Sequence, residues 1–277
     1  MRVEDVKVCV LYIEGTNCEE ESYWVFKRLG AKPEKVHLKL LIGMDTYDDE
    51  KRDLLDYDIV MIPGGFSSGD YVRAGAILGA RVKSSLEKEL VEFGKEGRPI
   101  LGVCNGFQVL VEIGLLPSFN GFMSSVPQAV LATNDSARYE CRPSLLKHEN
   151  KGNCVFTKKL PEGEVIVCPV AHTEGKFTLP RGKESELLKR MEDLDMIVFK
   201  YVDPEGEYAG YFWNPNGSLD NIAGICNSEG NVFGMMPHPE RIFHGYQHPD
   251  WTREGPKEKG DGRVIFESVL EYVTRKF

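Results

Sequence analysis

The chain has no run of ~18 or more apolar residues, the length that a membrane-crossing helix needs, so no such helix is expected. Its start, MRVEDVKVCVLYI, is too acidic and its apolar stretch too short for a secretory signal peptide, which makes the cytoplasm the expected compartment. It also lacks a surplus of positive charge: 34 Lys and Arg stand against 43 Asp and Glu, a formal net charge of −9. Nucleic-acid phosphates are held by basic surfaces, so no nucleic-acid partner is expected. The seven cysteines (Cys9, Cys18, Cys104, Cys141, Cys154, Cys168 and Cys226) are scattered, and no two form a CxxC pair. Neither a zinc site nor a disulfide framework is expected from that spacing, and most of these thiols should be small buried hydrophobes. There is no internal repeat, low-complexity run or clear linker. With 277 residues, 42% hydrophobic and 28% charged, the chain has the composition of an ordinary globular protein, expected to form a single domain over 1–277.

What is present is an alternation. VKVCVLYI (6–13) is a nearly continuous apolar run, as in a strand buried on both faces. Asn17 stands three before Glu20, which resembles a capping box, and CEEESYWVFKRLG then reads as an amphipathic helix ending at Gly30. EKVHLKLL and DYDIVMIPGG (56–65) are further strands, SSLEKELVEFGKEG a surface helix, RPILGVC (98–104) a strand and NGFQVLVEIGLL a helix. Strands alternating with helices predict an α/β fold: an open, mostly parallel sheet flanked by helices. Beyond residue 120, QAVLATN, YECRPSLL, NCVFTKKL and EVIVCPV read as strands joined by turns, which predicts an antiparallel extension. IAGICNSEGNVFGMMPH (222–238) reads as a hairpin around Ser228–Asn231, 244–261 as an exposed loop and 262–277 as a helix.

Three places carry chemistry. Gly102-Val103-Cys104-Asn105-Gly106 lies where an apolar strand gives way to a helix, the setting of a nucleophile elbow. Such a turn needs small residues two positions either side of the nucleophile, and it aims a helix N-terminus at the sulfur, which favours the reactive thiolate. A buried Cys in a Gly-rich turn would give the same string. A cysteine nucleophile needs a base. Of six histidines, His37 reads as part of a strand, His148 lies in a polar stretch, and His244 and His248 fall in the loop. His238 sits in MMPHPE at the end of an apolar strand, between two prolines that hold the backbone extended. Positions i and i+2 of an extended segment point the same way, so Glu240 can orient the His238 imidazole. An exposed turn His beside a solvated Glu is the alternative for His-Pro-Glu alone. Pro63-Gly64-Gly65-Phe66-Ser67-Ser68-Gly69-Asp70 lacks the GxGxxG and GxxxxGKS/T phosphate-binding spacings. Its free backbone N–H groups suit a tetrahedral oxyanion beside Cys104, together with the N–H of Asn105.

With these strings in place, the chain resembles class I (triad) glutamine amidotransferases, which share a flavodoxin-like fold and are marked by a G-x-C-x-G elbow and a late H-P-E. It is most similar to the branch of that family serving purine biosynthesis, through GTNC (15–18), GGFSSGDYVRAGAI (64–77), GVCNGFQVLVEIGLLP (102–117), CPVAHTEGKF (168–177), NPNGSLDNIAGICN (214–227) and GNVFGMMPHPER (230–241). The resemblance implies Cys104 as nucleophile, His238 as base and Glu240 as its orienter. It implies an oxyanion N–H from Gly64 or Gly65 with that of Asn105, a substrate contact from Gln108, and backbone contacts to the amino-acid end of the substrate from His172-Thr173-Glu174. It departs at Thr173, commonly Gly in the family, and at Ser68, often Tyr. The chain also exceeds compact members around 178–212 and 244–261. L-Glutamine is the implied substrate, with no cofactor and no metal on this chain. ATP and Mg are expected on a separate synthetase subunit that receives the ammonia, with a small accessory subunit completing the assembly. A different cysteine-elbow hydrolase and a non-catalytic scaffold subunit are the other classes that this fold would admit.

Overall fold

The structure, a computed structural model, describes residues 1–44, 47 and 50–277. In its first half, strands alternate with helices: β1 (Lys7–Tyr12), α1 (Glu19–Arg28), β2 (Lys32–His37), α2 (Leu38–Ile42), β3 (Ile59–Ile62), α3 (Ala76–Lys95), β4 (Ile100–Val103) and α4 (Asn105–Glu112). Every residue of β3 and β4 is buried, as apolar strands covered on both faces must be. The second half holds β5 (Val130–Thr133), β6 (Glu140–His148), β7 (Val165–His172), β8 (Glu174–Thr178), α5 (Glu184–Asp193), β9 (Ile197–Val202), β10 (Ile222–Cys226), β11 (Val232–Met235), α6 (Trp251–Glu254) and α7 (Arg263–Lys276).

One nine-stranded sheet runs β2-β1-β3-β4-β11-β10-β9-β6-β7, and β5 pairs with β8 in a separate ribbon. From β2 to β11 all neighbours are parallel; from β11 to β7 all are antiparallel. The expected parallel sheet and antiparallel extension are thus two ends of one sheet. The late strand β11 is inserted beside β4, with Met235 opposite Val103. That crossover carries the end of β11, and the residues just after it, to the edge where Cys104 emerges.

Several local expectations change. The helix read as SSLEKELVEFGKEG begins at Ala76 and is not a surface helix only. Leu78, Val82, Leu86, Leu90 and Phe93 form a buried stripe at helical spacing, each stabilising by about 1.5–3 kcal/mol on burial. EKVHLKLL is a strand only to His37, whose Nδ1 accepts from the Lys39 N–H (3.2 Å) and caps α2. The cap of α1 is Cys18, whose side chain accepts no bond from the helix's own N–H groups, so Asn17 closes no capping box. The backbone N–H groups of Asn17 and Cys18 instead donate to the Gly64 carbonyl at 3.2 and 3.1 Å. NCVFTKKL is not a strand: it turns, with Cys154 and Phe156 buried and the Cys154 N–H held by Asn150 Oδ1 at 2.8 Å. Alternating apolar residues here anchor a loop, a pattern that a strand also produces. The segment 178–212 contains the fully buried β9, which joins β10 to β6. The stretch 244–261 contains the short α6 and is mostly exposed, although Gly245, His248 and Gly260 are buried.

Candidate active site

The turn at Cys104 is tight. Its backbone has φ +52° and ψ −108°, between the last residue of β4 and the first of α4. A non-glycine residue at positive φ costs on the order of 1–3 kcal/mol and persists only where the surroundings enforce it. Here they do. A Cβ on Gly102 would stand 2.6 Å from the Gly106 carbonyl oxygen, and one on Gly106 would stand 1.9 Å from that of Ile62. The flanking glycines are therefore required by close backbone approach, as the elbow reading predicts. A Cβ on Gly234 of β11 would stand 2.1 Å from the Phe107 ring, so α4 is seated on the sheet by that absence too.

His238 arrives from the end of β11 and is anchored by its own N–H donating to the Pro169 carbonyl (2.8 Å). Its imidazole is buried, and Nδ1 lies 2.6 Å from Glu240 Oε1. The pairing of these side chains matches the expectation, but the backbone does not: Pro239–Ile242 is a 3₁₀ turn, not an extended segment. Nε2 on the other side of the ring makes no hydrogen bond among the described residues. Burial by itself would depress the imidazole pKa; the Glu240 carboxylate, followed by the Cys104 sulfur, outweighs it and holds His238 well above its ordinary value. Gly64 marks how close the groups are. Its missing Cβ would sit 2.7 Å from His238 Cε1 and 3.3 Å from both Cys104 Cβ and Cys18 Sγ.

Cys104 Sγ lies 3.6 Å from the Ala171 carbonyl, at a cavity of about 160 Å³. The cavity is lined by Gly65, Gln108, Thr173 and Glu174 from the expected set. Gly65 has φ +143° and, among the described residues, a backbone N–H with no partner. Gly64 does not line the cavity; its place is behind, against the imidazole. Asn105 opens α4, where first-turn N–H groups lack intrahelical partners. Its side chain donates to Asp70 Oδ1 (3.2 Å) and Gln108 Oε1 (3.0 Å) and accepts from the Ser67 N–H (3.3 Å). Gln108 Nε2 donates to the Glu174 carbonyl at 2.6 Å, tying α4 to β8. All nine predicted site residues thus gather in one neighbourhood.

The sequence reading assigned no contact to Phe66, Asp70, Ala74 or Ala171, and expected only a backbone contact at His172; these five complete the lining. Burial raises the Asp70 carboxyl, with Glu174 adding to it and the Gly75 N–H and Asn105 opposing. Burial, and then the charge of His238, pushes His172 down to about 3, so it is neutral. Asp70 stands inside the string GGFSSGDYVRAGAI, so its only available signal was motif membership. Cys18, His238 and Glu240 are the one grouping of metal-type donors among the described residues, with donor atoms within 4.8 Å of one another. Those donors are already engaged: Glu240 holds His238, and Arg241 Nη2 donates to Cys18 Sγ at 3.1 Å. A guanidinium so close opposes a cation. No helix among the described residues is long and apolar enough to cross a membrane.

Comparison with known proteins adds a family. The CobB/CobQ-like glutamine amidotransferase domain matches residues 5–273. The chain is 54% identical to phosphoribosylformylglycinamidine synthase subunit PurQ of Archaeoglobus fulgidus over 274 residues, covering 98% of each chain. It is 43% identical to the protein of the same name from Picrophilus torridus, covering 95% of this chain and 97% of that one. Among solved structures, a chain of PurLQS from Thermotoga maritima superposes with a TM-score of 0.69 at 30% identity, covering 97% of this chain and 99% of that one.

Proposed function

The chain belongs to the CobB/CobQ-like glutamine amidotransferase domain family, and on that premise we propose that it is the glutaminase subunit of a phosphoribosylformylglycinamidine synthase. It hydrolyses L-glutamine to glutamate and ammonia. The ammonia passes to a synthetase subunit that converts formylglycinamide ribonucleotide to formylglycinamidine ribonucleotide in purine biosynthesis. Full-length likeness to the PurQ relatives supports this reading. The observation that carries it is the convergence of Cys104 and the buried His238–Glu240 pair beside one small cavity.

The steps follow from the atoms available. Glu240 occupies Nδ1, so Nε2 is the nitrogen that exchanges protons with the Cys104 sulfur and the substrate. The sulfur attacks the side-chain amide carbon of glutamine. The carbonyl oxygen becomes an oxyanion and is met by the N–H groups of Gly65 and Asn105, each worth about 2.7–4 kcal/mol by analogy with oxyanion donors elsewhere. His238 protonates the nitrogen, the C–N bond breaks, ammonia leaves and a γ-glutamyl thioester remains. Water gives a proton to His238 and attacks that thioester, releasing glutamate and restoring the thiol. Gln108, Thr173 and Glu174 position the amino-acid end. One amidotransferase domain spans 1–277 and works in the cytoplasm. ATP and Mg serve the ligation step on the synthetase subunit, and a small accessory subunit completes the complex.

The test combines the full chain with its synthetase subunit. A glutamine analogue bearing an electrophile should label Cys104, and glutamine-dependent synthesis should vanish in Cys104→Ala while ammonia-dependent synthesis survives. Normal glutamine hydrolysis by that variant would end the proposal. A different cysteine-elbow hydrolase would resist the analogue, and a scaffold subunit would neither react nor hydrolyse.

A further inference from the structure

The carboxylate that orients His238 is itself lightly held. Glu240 Oε1 lies 2.6 Å from Nδ1, while Oε2 is buried without a hydrogen-bond partner among the described residues. One bond fixes a distance and leaves the carboxylate free to turn, so its aim depends on the backbone that carries it, the 3₁₀ turn Pro239–Ile242. That turn is gripped from two sides. On one side it meets backbone: the Gly262 N–H donates to the Ile242 carbonyl at 3.0 Å, and a Cβ on Gly262 would stand 2.2 Å from the Pro239 carbonyl oxygen. On the other side stands the start of α1, and there the polar contacts of the turn, among the described residues, come from one side chain. Arg241 Nη2 donates to Cys18 Sγ at 3.1 Å, and Arg241 Nε lies 3.7 Å from Glu21 Oε1. Cys18 is fixed in turn, since its N–H donates to the Gly64 carbonyl at 3.1 Å and Gly64 lies against the imidazole. A closed ring of contacts therefore runs from His238 through Glu240, Arg241, Cys18 and Gly64 back to His238.

Arginine suits this place in a way that lysine does not. Its guanidinium presents Nη2 and Nε in one rigid plane, so a single side chain reaches a sulfur and a carboxylate together. It is also a cation beside the buried pair. Burial by itself would lower the Arg241 pKa; the Cys18 sulfur, then Glu240 and Glu21, outweigh it and hold the residue above its ordinary value. Arg241 does not line the cavity, so it is not placed to touch substrate. We propose that Arg241 is a positioning residue for the reaction: by clamping the turn to the start of α1 at Cys18 and Glu21, it aims the Glu240 carboxylate at His238 Nδ1. This rests on the glutaminase reading above and extends it to a residue which that reading does not use. It also gives the second cysteine beside the imidazole a part, as an anchor without chemistry of its own.

The experiment places Arg241→Met and Arg241→Lys in the full chain, assayed for glutamine hydrolysis with its synthetase subunit. Arg241→Met keeps an aliphatic stem and removes both clamp and charge. Its kcat should fall about 10- to 100-fold, with KM within about twofold of wild type, because a misaimed base slows the chemistry without removing a substrate contact. Arg241→Lys, which keeps the charge, should fall between the two. In a Glu240→Ala background no carboxylate is left to aim, so adding Arg241→Met should cost less than about threefold more. Fully additive losses would mean that Arg241 only holds the fold together, and they would overturn the proposal, as would a wild-type kcat in Arg241→Met. A second readout needs no turnover. The short His238–Glu240 hydrogen bond deshields its proton, so the wild-type chain should show a downfield Nδ1–H resonance that weakens in Arg241→Met; an unchanged resonance overturns the proposal. Should Arg241→Met fail to fold, both readouts are taken on Arg241→Lys: lowered kcat with a weakened resonance upholds the proposal, and wild-type values overturn it. A wild type that hydrolyses no glutamine sinks the glutaminase reading, and the resonance then decides the positioning role alone.

Discussion

Two cysteines approach one imidazole from the starts of two helices. Cys104 precedes α4 and Cys18 precedes α1, and both lie against the place where Gly64 lacks a side chain. They differ in everything else. Cys18 has an ordinary backbone (φ −103°), is 1% exposed, and lies 4.0 Å from His238 Nδ1, the nitrogen that Glu240 already occupies. Burial pushes its thiol up, opposed by hydrogen bonding to His238. Cys104 is forced to positive φ and lines a cavity. A helix N-terminus and a nearby histidine are therefore shared by both thiols. On the proposed glutaminase reading, what sets Cys104 apart is access to the cavity and a free imidazole nitrogen.

The sharpest way to break this contrast is to exchange the two sites. Cys104→Ala should lower glutamine hydrolysis by at least about 10⁴-fold, whereas Cys18→Ala should stay within about tenfold of wild type, as read from glutamate release. Equal losses would mean that the two thiols share the chemistry. Next in size is Glu240→Gln, which removes the carboxylate that orients His238; kcat should fall by about 10²–10⁴-fold, with glutamine KM little changed. Gly64→Ala tests the shared neighbourhood. Its methyl would sit 2.7 Å from His238 Cε1, so the imidazole must shift. Loss of about 10²-fold in rate and about 1–3 kcal/mol in urea-unfolding stability is expected.

The smallest effect is electrostatic. His238 has a raised pKa in the folded protein. Its protonation therefore stabilises the fold fully below the unfolded value of about 6.5, and that contribution is lost as pH rises through the folded value. Unfolding stability of the wild type should decline above pH 6.5 more steeply than that of Glu240→Gln, where the main cause of the rise is gone. Parallel pH profiles for the two proteins would show that Glu240 does not set the charge of His238.

How much of this could be read in advance depended on range. The β4–Cys104–α4 unit was legible because its cause is local: an apolar run, two glycines and a helix start within nine residues. The His238–Glu240 contact was legible for a mistaken reason: no extended segment joins them, and the imidazole meets Glu240 from the cap position of a 3₁₀ turn that begins at Pro239. NCVFTKKL misled because buried loop anchors alternate as strand residues do. The strand β9 was not legible as part of the sheet, because nothing near residues 197–202 states that their partners lie at 145–148 and 222–225.

The sequence by itself determined the parallel half of the sheet, the elbow at Cys104 and the residue types able to act as nucleophile, base and orienter. These follow from apolar periodicity, backbone crowding and the chemistry of a few side chains close together along the chain. Only the tertiary structure decided which of two cysteines faces the cavity and which nitrogen of His238 is free. It alone brought Asp70, Glu174 and His172 into the lining of one cavity. Those are facts about groups up to 220 residues apart, and what brings them together is the insertion of β11 beside β4 and the packing that follows from it.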